Sequence, residues 1–247
     1  MSVVVRELES GGLKNNNLES WYNCHVWSPI VDQGFGNIKG VSVVRGESAS
    51  IATSVAKNTG RSSTAERKKM GDHGDWILQT TGKGDLEEFG AGEAGHMWFD
   101  EYGSKFLFES KLKLPKILKN MLVKLMKKAN WNKSQTKQMQ TIGIIHAGLL
   151  MMVLYIDNPN GYICRLNQSE MMEILDNEDL SSVLLVLAAV LNLKSSVEET
   201  IKAAQNKTKP TFEKAGMPRQ SFDIPYCFYK LEKKVSDYYL AHVDIFH

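Results

Sequence analysis

Four short stretches carry residue types that do chemistry. Gly71-Asp72-His73-Gly74-Asp75 sets two carboxylates and an imidazole within five residues, a combination suited to a cation or to acid–base work. No second cluster stands near it in the sequence, and a turn capped by its own Asp side chains accounts for the composition equally well. Gly90-Ala91-Gly92-Glu93-Ala94-Gly95 matches the dinucleotide pattern G-x-G-x-x-G letter for letter. That pattern binds pyrophosphate only between an apolar strand and a helix, and here Asp85-Leu86-Glu87-Glu88 precedes it, so no nucleotide cofactor is expected. Cys24 and His25 are neighbours, but adjacent residues of a strand point to opposite faces and cannot act as nucleophile and base. His146 lies inside an apolar run and reads as a core histidine. These observations predict neither a catalytic constellation nor a metal or cofactor site.

The strongest chemical signal is charge. Lys105, Lys111, Lys113, Lys116, Lys119, Lys124, Lys127, Lys128, Lys133 and Lys137 share the segment 105–137 with a single acid, Glu109. The segment carries +9 in a chain of net charge +2, so the remainder is at −7 and charge is segregated along the chain. The acidic counterparts are Glu170, Glu173, Asp176, Glu178 and Asp179, and the earlier run Asp85, Glu87, Glu88 and Glu93. Such a cationic surface suits phosphate backbones, which lysines bind by releasing counterions. Trp131 at its end, and Trp98, Phe99, Tyr102, Phe106 and Phe108 before it, are candidates to stack bases, although most aromatics of this kind serve the core.

A helix must present these lysines. Pro115 suits the first turn, and Ile117, Leu118, Met121, Leu122, Leu125, Met126 and Ala129 recur at the spacing of one helical face. The run 141–156 is apolar throughout and predicts a buried helix containing Gly143 and Gly148. Leu180–Leu193, the stretch after Ser195-Ser196, and the stretch after Pro225 predict three more helices, and Asn167 with Glu170 resembles the start of a short one. Before residue 105, Val3-Val4-Val5, Trp21 to Val31, and Val41-Val43-Val44 suggest strands among Gly-, Ser- and Thr-rich loops. The expected class is therefore mainly α: a helical domain over 105–247 behind an irregular, partly β N-terminal region or arm over 1–104.

The function expected on these grounds is structural, not enzymatic. The chain reads as a sequence-independent RNA- or single-stranded-DNA-binding protein that self-assembles, since a helical core with a Gly-rich arm is the general plan of virus nucleoproteins. The exposed valines and tryptophans of the arm would supply the subunit contact. A matrix-type protein binding anionic membranes is the second expectation, and an enzyme of unidentified class the third. Three widely spaced cysteines (Cys24, Cys164, Cys227) without metal spacing, and an N-terminus with no apolar targeting segment, point to a cytoplasmic protein.

Overall fold

A computed structural model of the chain describes residues 2–60, 67–82, 84–95, 104–161, 163–176, 180–205 and 226–229. Its framework is a mixed sheet of eight strands, which overturns the mainly α expectation. The strands are β1 (Val41–Ala49), β2 (His73–Thr80), β3 (Glu88–Gly95), β4 (Gln140–Ala147), β5 (Leu150–Asp157), β6 (Ile163–Gln168), β7 (Met172–Glu173) and β8 (Tyr226–Tyr229). The order is β1-β2-β3-β4-β5-β6-β8, with β7 against β5. The pairs β3/β4 and β6/β8 are parallel and the others antiparallel. The sheet runs across residue 104, since β3 pairs with β4.

The largest correction falls on 141–156. This run is a hairpin, not a helix: β4 and β5 pair over their whole length and turn at Gly148, whose φ of +57° favours glycine. An apolar run without polar interruption describes a central strand covered on both faces as well as it describes a buried helix. Its β-branched residues Ile142, Ile144, Ile145, Val153 and Ile156 suit the pleat, and each is nearly or fully buried. Gly143 is required, because a Cβ there would fall within 3 Å of Leu114 and Leu118.

The strand expectations at Val3-Val4-Val5 and Trp21 to Val31 also fail. The first lies in helix α1 (Ser2–Glu9), the second in a continuous helical stretch: α2 (Glu19–Tyr22), a π-helical turn (Asn23–Trp27) and α3 (Ser28–Phe35). Tertiary burial decides here, for Val4 is buried in α1, and Val26, Trp27, Ile30 and Val31 form one buried stripe of helical spacing. These residues are buried within their own chain. The strand expected at Val41 to Val44 is β1, followed by a short helix α4 (Ile51–Asn58).

The lysine-rich helix is present. It forms in three joined pieces: α5 (Ser104–Phe108), a second π-helical turn (Glu109–Lys113) and α6 (Leu114–Lys128). Ile117, Leu118, Met121, Leu122, Leu125 and Met126 are at most 1% exposed against the sheet. The helix ends with the hydrogen bonds Asn130 N–H to Lys127 O and Trp131 N–H to Met126 O, the paired closure of a Schellman motif. Asn132 caps the next turn, α7 (Lys133–Thr136), its side-chain oxygen accepting from Ser134 N–H and Gln135 N–H.

Downstream, 180–205 is one helix, α8 (Ser181–Gln205), instead of two. Ser195 and Ser196 sit in its interior, their hydroxyls turned back to the carbonyls of Leu191 and Asn192. No short helix opens at Asn167, which belongs to β6. The helix expected after Pro225 begins instead as strand β8, and the rest of that expectation lies outside the described residues. Helix α6 covers one face of the sheet, that of Gly143. The opposite face carries Trp27, stacked on His146 at 4.9 Å, and α3, packed on α8 where Gly34 meets Val190. His146 is thus a strand residue; burial, then the charge of Arg45, pushes its pKa down to about 3, so it stays neutral.

Candidate functional site

The site forms where the ends of β2 and β3 meet the π-helical turn at the head of α6. Strand β3 is glycine-rich because of what lies against its other face. A Cβ at Gly92 would stand 2.1 Å from the indole of Trp76, and one at Gly90 would stand 2.7 Å from Ile142. The G-x-G-x-x-G match is therefore a packing pattern within a strand. On the face toward α6 the alternation leaves Ala91 and Glu93. The β2/β3 register pairs Trp76 with Gly92, so its continuation places Asp75 opposite Glu93. An Asp75 Oδ2 atom accepts from Ala94 N–H at 2.5 Å, which fixes that carboxylate at the strand end.

Helix geometry supplies the remaining groups. The π-helical turn is wider than an α-helical one, and such turns frequently occur at functional sites. It directs Glu109 and Ser110 into the interior and sets Lys113 over β3. Lys113 Nζ donates to Glu93 Oε2 at 2.7 Å. Glu93 is only 2% exposed and Glu109 7%, while Ser110 is fully buried. Glu93 Oε1, Glu109 Oε2 and Ser110 Oγ have no hydrogen-bond partner. Buried polar atoms are ordinarily paired, so the orphaned oxygens of Glu93 on β3 and of Glu109 and Ser110 on the turn mark a place open to a further partner.

Electrostatics agree. Burial pushes the Glu93 carboxyl up to about 7, against the ammonium of Lys113, and the charges of Asp75 and Glu109 add to the rise. Glu109 is raised chiefly by burial, with Lys105 and Lys113 opposing. Burial disfavours the Lys113 ammonium, yet Glu93, Asp75 and Glu109 outweigh it and hold its pKa above the ordinary value. The carboxyls of Glu93, Glu109 and Asp75 gather about Lys113, with Lys105 3.9 Å from Glu109, and a divalent cation in this mostly buried space would favour their ionised forms. Among the described residues no three His, Cys, Asp or Glu side chains already converge as a metal cage. Magnesium needs none: it binds through one or two carboxylates and keeps waters and substrate phosphate as its other ligands.

Asp72 does not join this site. It is held by Lys57 and by Lys116 at 3.5 Å, and these cations outweigh burial to keep its pKa below the usual range. Glu88, the first residue of β3, is also spoken for. Its carboxylate accepts from Ile51 N–H (2.8 Å), Ala52 N–H (2.7 Å) and the Ser50 hydroxyl (3.1 Å), and so closes the start of α4. Burial nonetheless pushes its pKa up.

The lysines segregated along the sequence are in large part compensated in space. Lys113 meets Glu93, Lys124 meets Asp85 at 2.8 Å, and Lys128 meets Glu87. Lys116 meets Asp72, Lys105 lies 3.9 Å from Glu109 and 4.0 Å from Glu19, and Lys111 donates to Gln168. The acidic run of β3 and the loop before it thus answers the basic helix inside one chain. Lys119, Lys127, Lys133 and Lys137 make no ion pair among the described residues. Trp131 is half-buried against the core and Phe106 is buried, whereas Phe108 is exposed. Trp98, Phe99, Tyr102, Glu178 and Asp179 lie outside the described residues. The described helix α8 is long and apolar enough, by length and composition, to cross a membrane, with a third of its apolar window buried in the fold.

Sequence reasoning singled out Asp75, Glu93 and Lys113 in three separate contexts and had no means of joining them. Glu109 was visible only as the lone acid of a basic segment, and that isolation was the available signal. No protein-family model matches the chain, and no curated protein or solved structure matches it either.

Proposed function

We propose that the protein hydrolyses phosphodiester bonds of nucleic acid with the help of a divalent cation held by Asp75 and Glu93. The observation that carries this reading is the Glu93–Lys113 pair, set among Asp75, Glu109 and orphaned buried oxygens. Strongly shifted carboxylates beside a specific cationic partner are the physical signature of a working site. When bound, such a cation would supply Lewis-acid polarisation of the scissile phosphate and ease the ionisation of the attacking water. Asp75, braced by Ala94 N–H, and Glu93 offer oxygen ligands from neighbouring strands. Lys113 stands where its ammonium can hold the charge that grows on the phosphorus-bound oxygens. Water oxygen forms the new bond to phosphorus and gives up a proton, the ester P–O bond breaks, and the departing alkoxide takes up a proton to leave as the alcohol. Lys119, Lys127, Lys133 and Lys137 provide uncommitted charge for a long phosphate backbone.

Non-catalytic coating of single-stranded RNA or DNA is the second reading and rests on the same four lysines. Against it, the charges of Lys113, Lys124 and Lys128 are closely matched by Glu93, Asp85 and Glu87 within the fold. The membrane reading draws no support from α6, whose apolar face is committed to the sheet.

The test is incubation of labelled single-stranded RNA, single-stranded DNA and duplex DNA with the purified protein, in magnesium or manganese and in EDTA. Cation-dependent cleavage is expected, falling at least about a hundredfold in Glu93→Gln and Asp75→Asn. Manganese binding, read by titration calorimetry, should fall in parallel. A folded wild type that binds no manganese and cleaves none of the three would overturn the proposal.

A further inference from the structure

We infer that the outer ridge of the helix next to the site, Phe108 and Leu112 flanked by Lys105 and Lys116, is a docking strip for the unstacked bases of a single-stranded nucleic acid. The inference rests on the proposed hydrolytic role of the site and names the form of its substrate.

Phe108 and Leu112 are 55% and 56% exposed and stand four residues apart on adjoining helical pieces. They are therefore neighbours on one surface. An exposed Phe–Leu pair contributes nothing to the core, and α6 has its own complete apolar face against the sheet. Lys105 lies three residues before Phe108 and Lys116 four residues after Leu112, with side chains 58% and 55% exposed. The lysines lie loosely against their acidic partners, at 3.5 to 4.0 Å, and can turn to a phosphate. A cation, two apolar side chains and a cation thus follow one another along the ridge. A nucleotide strand offers the matching chemistry: an anionic backbone and flat apolar bases. Glu109 and Lys113 follow Phe108 and Leu112 directly in the chain, so the ridge and the cluster share one helical stretch, the ridge outward and Glu109 inward. Base pairing would hide the base faces from Phe108, which is why the strand must be single.

Fluorescence polarisation in calcium, with oligothymidylate and an abasic strand of equal length and charge, tests the inference. The wild type should bind the base-bearing strand about tenfold tighter. Phe108→Ala/Leu112→Ser should lose that preference yet keep its affinity for the abasic strand, and Phe108→Trp should restore it. Equal binding of both strands by the wild type, or a preference that survives the double substitution, would overturn the inference. So would light scattering that shows a wild-type dimer dispersed by the double substitution without any base preference, since the ridge would then be a contact between copies. Hydrolysis of bis-p-nitrophenyl phosphate, which has no base, separates the two proposals. A base preference without that hydrolysis leaves the ridge standing and removes the hydrolytic reading. Hydrolysis without a base preference does the reverse.

Discussion

Lys113 Nζ stands 2.7 Å from Glu93 Oε2, while the other oxygen of the same carboxylate is buried with no partner. One half of the group is neutralised by the helix and the other half is held ready. This division gives Glu93 a defined position, while burial, against the pull of Lys113, raises its pKa to about 7.

The first prediction concerns pH and stability. Burial, opposed by Lys113, raises the Glu93 carboxyl from 4.5 to about 7. Between those values the folded protein holds a proton that the unfolded chain has released. Stability from this group is therefore present at low pH and is lost as pH rises from 4.5 to 7. The loss has a slope of up to about 1.4 kcal/mol per pH unit and no further change above 7. Urea midpoints across this range should show the fall in wild type and a flatter profile in Glu93→Gln. Identical slopes would mean that Glu93 is ionised throughout.

Hydrolysis should follow the opposite course. If ionised Glu93 is the cation ligand, the rate rises about tenfold per pH unit below 7 and levels off above it. A rate that is flat from pH 5 to 8 would rule out Glu93 as the titrating ligand.

Gly92 should tolerate no side chain. The added Cβ of Gly92→Ala would lie 2.1 Å from the ring of Trp76, its partner across the β2/β3 pairing. A loss of about 1–3 kcal/mol is expected by chemical denaturation, as for other overpacked cores. Combining it with Trp76→Leu should cost less than the two changes added, because the ring that clashes has gone.

Glu88→Ala should destabilise the fold by about 2–4 kcal/mol, since it strips acceptors from two backbone donors and a hydroxyl at the start of α4. Hydrogen exchange should accelerate first in α4. An unchanged urea midpoint would show that water takes over the cap.

Two classes of lysine should separate in binding. Replacing Lys119, Lys127, Lys133 and Lys137 by Gln should weaken single-strand binding and reduce its logarithmic salt slope by about 3. Replacing Lys124 and Lys128, which are engaged with Asp85 and Glu87, should leave that slope nearly unchanged. A slope that responds only to the second pair would reverse the assignment of the binding surface.

The amphipathic helix over 115–129 was fully legible in the sequence. Its period of 3.6, the Pro115 start and the lysines on its outer faces are local properties, and no neighbour was needed to read them. β1 was legible for the same reason, in its β-branched residues. The run 141–156 was not, because complete burial erases the alternation that separates strand from helix. Only pairing with β3 on one side and β6 on the other decides it. Val3–Val5 and Trp21 to Val31 carry strand propensity that helical burial overrides. The charge pattern was legible as composition, but which lysines have acidic partners was not. Coulomb interactions act through space, and the chain folds Asp85, Glu87 and Glu93 against Lys124, Lys128 and Lys113. The candidate site is the plainest case. The sequence supplied Asp75, Glu93, Glu109 and Lys113 at separations no local rule connects. Strand register and a π-helical turn bring them together, and burial then turns four ordinary side chains into a coupled cluster.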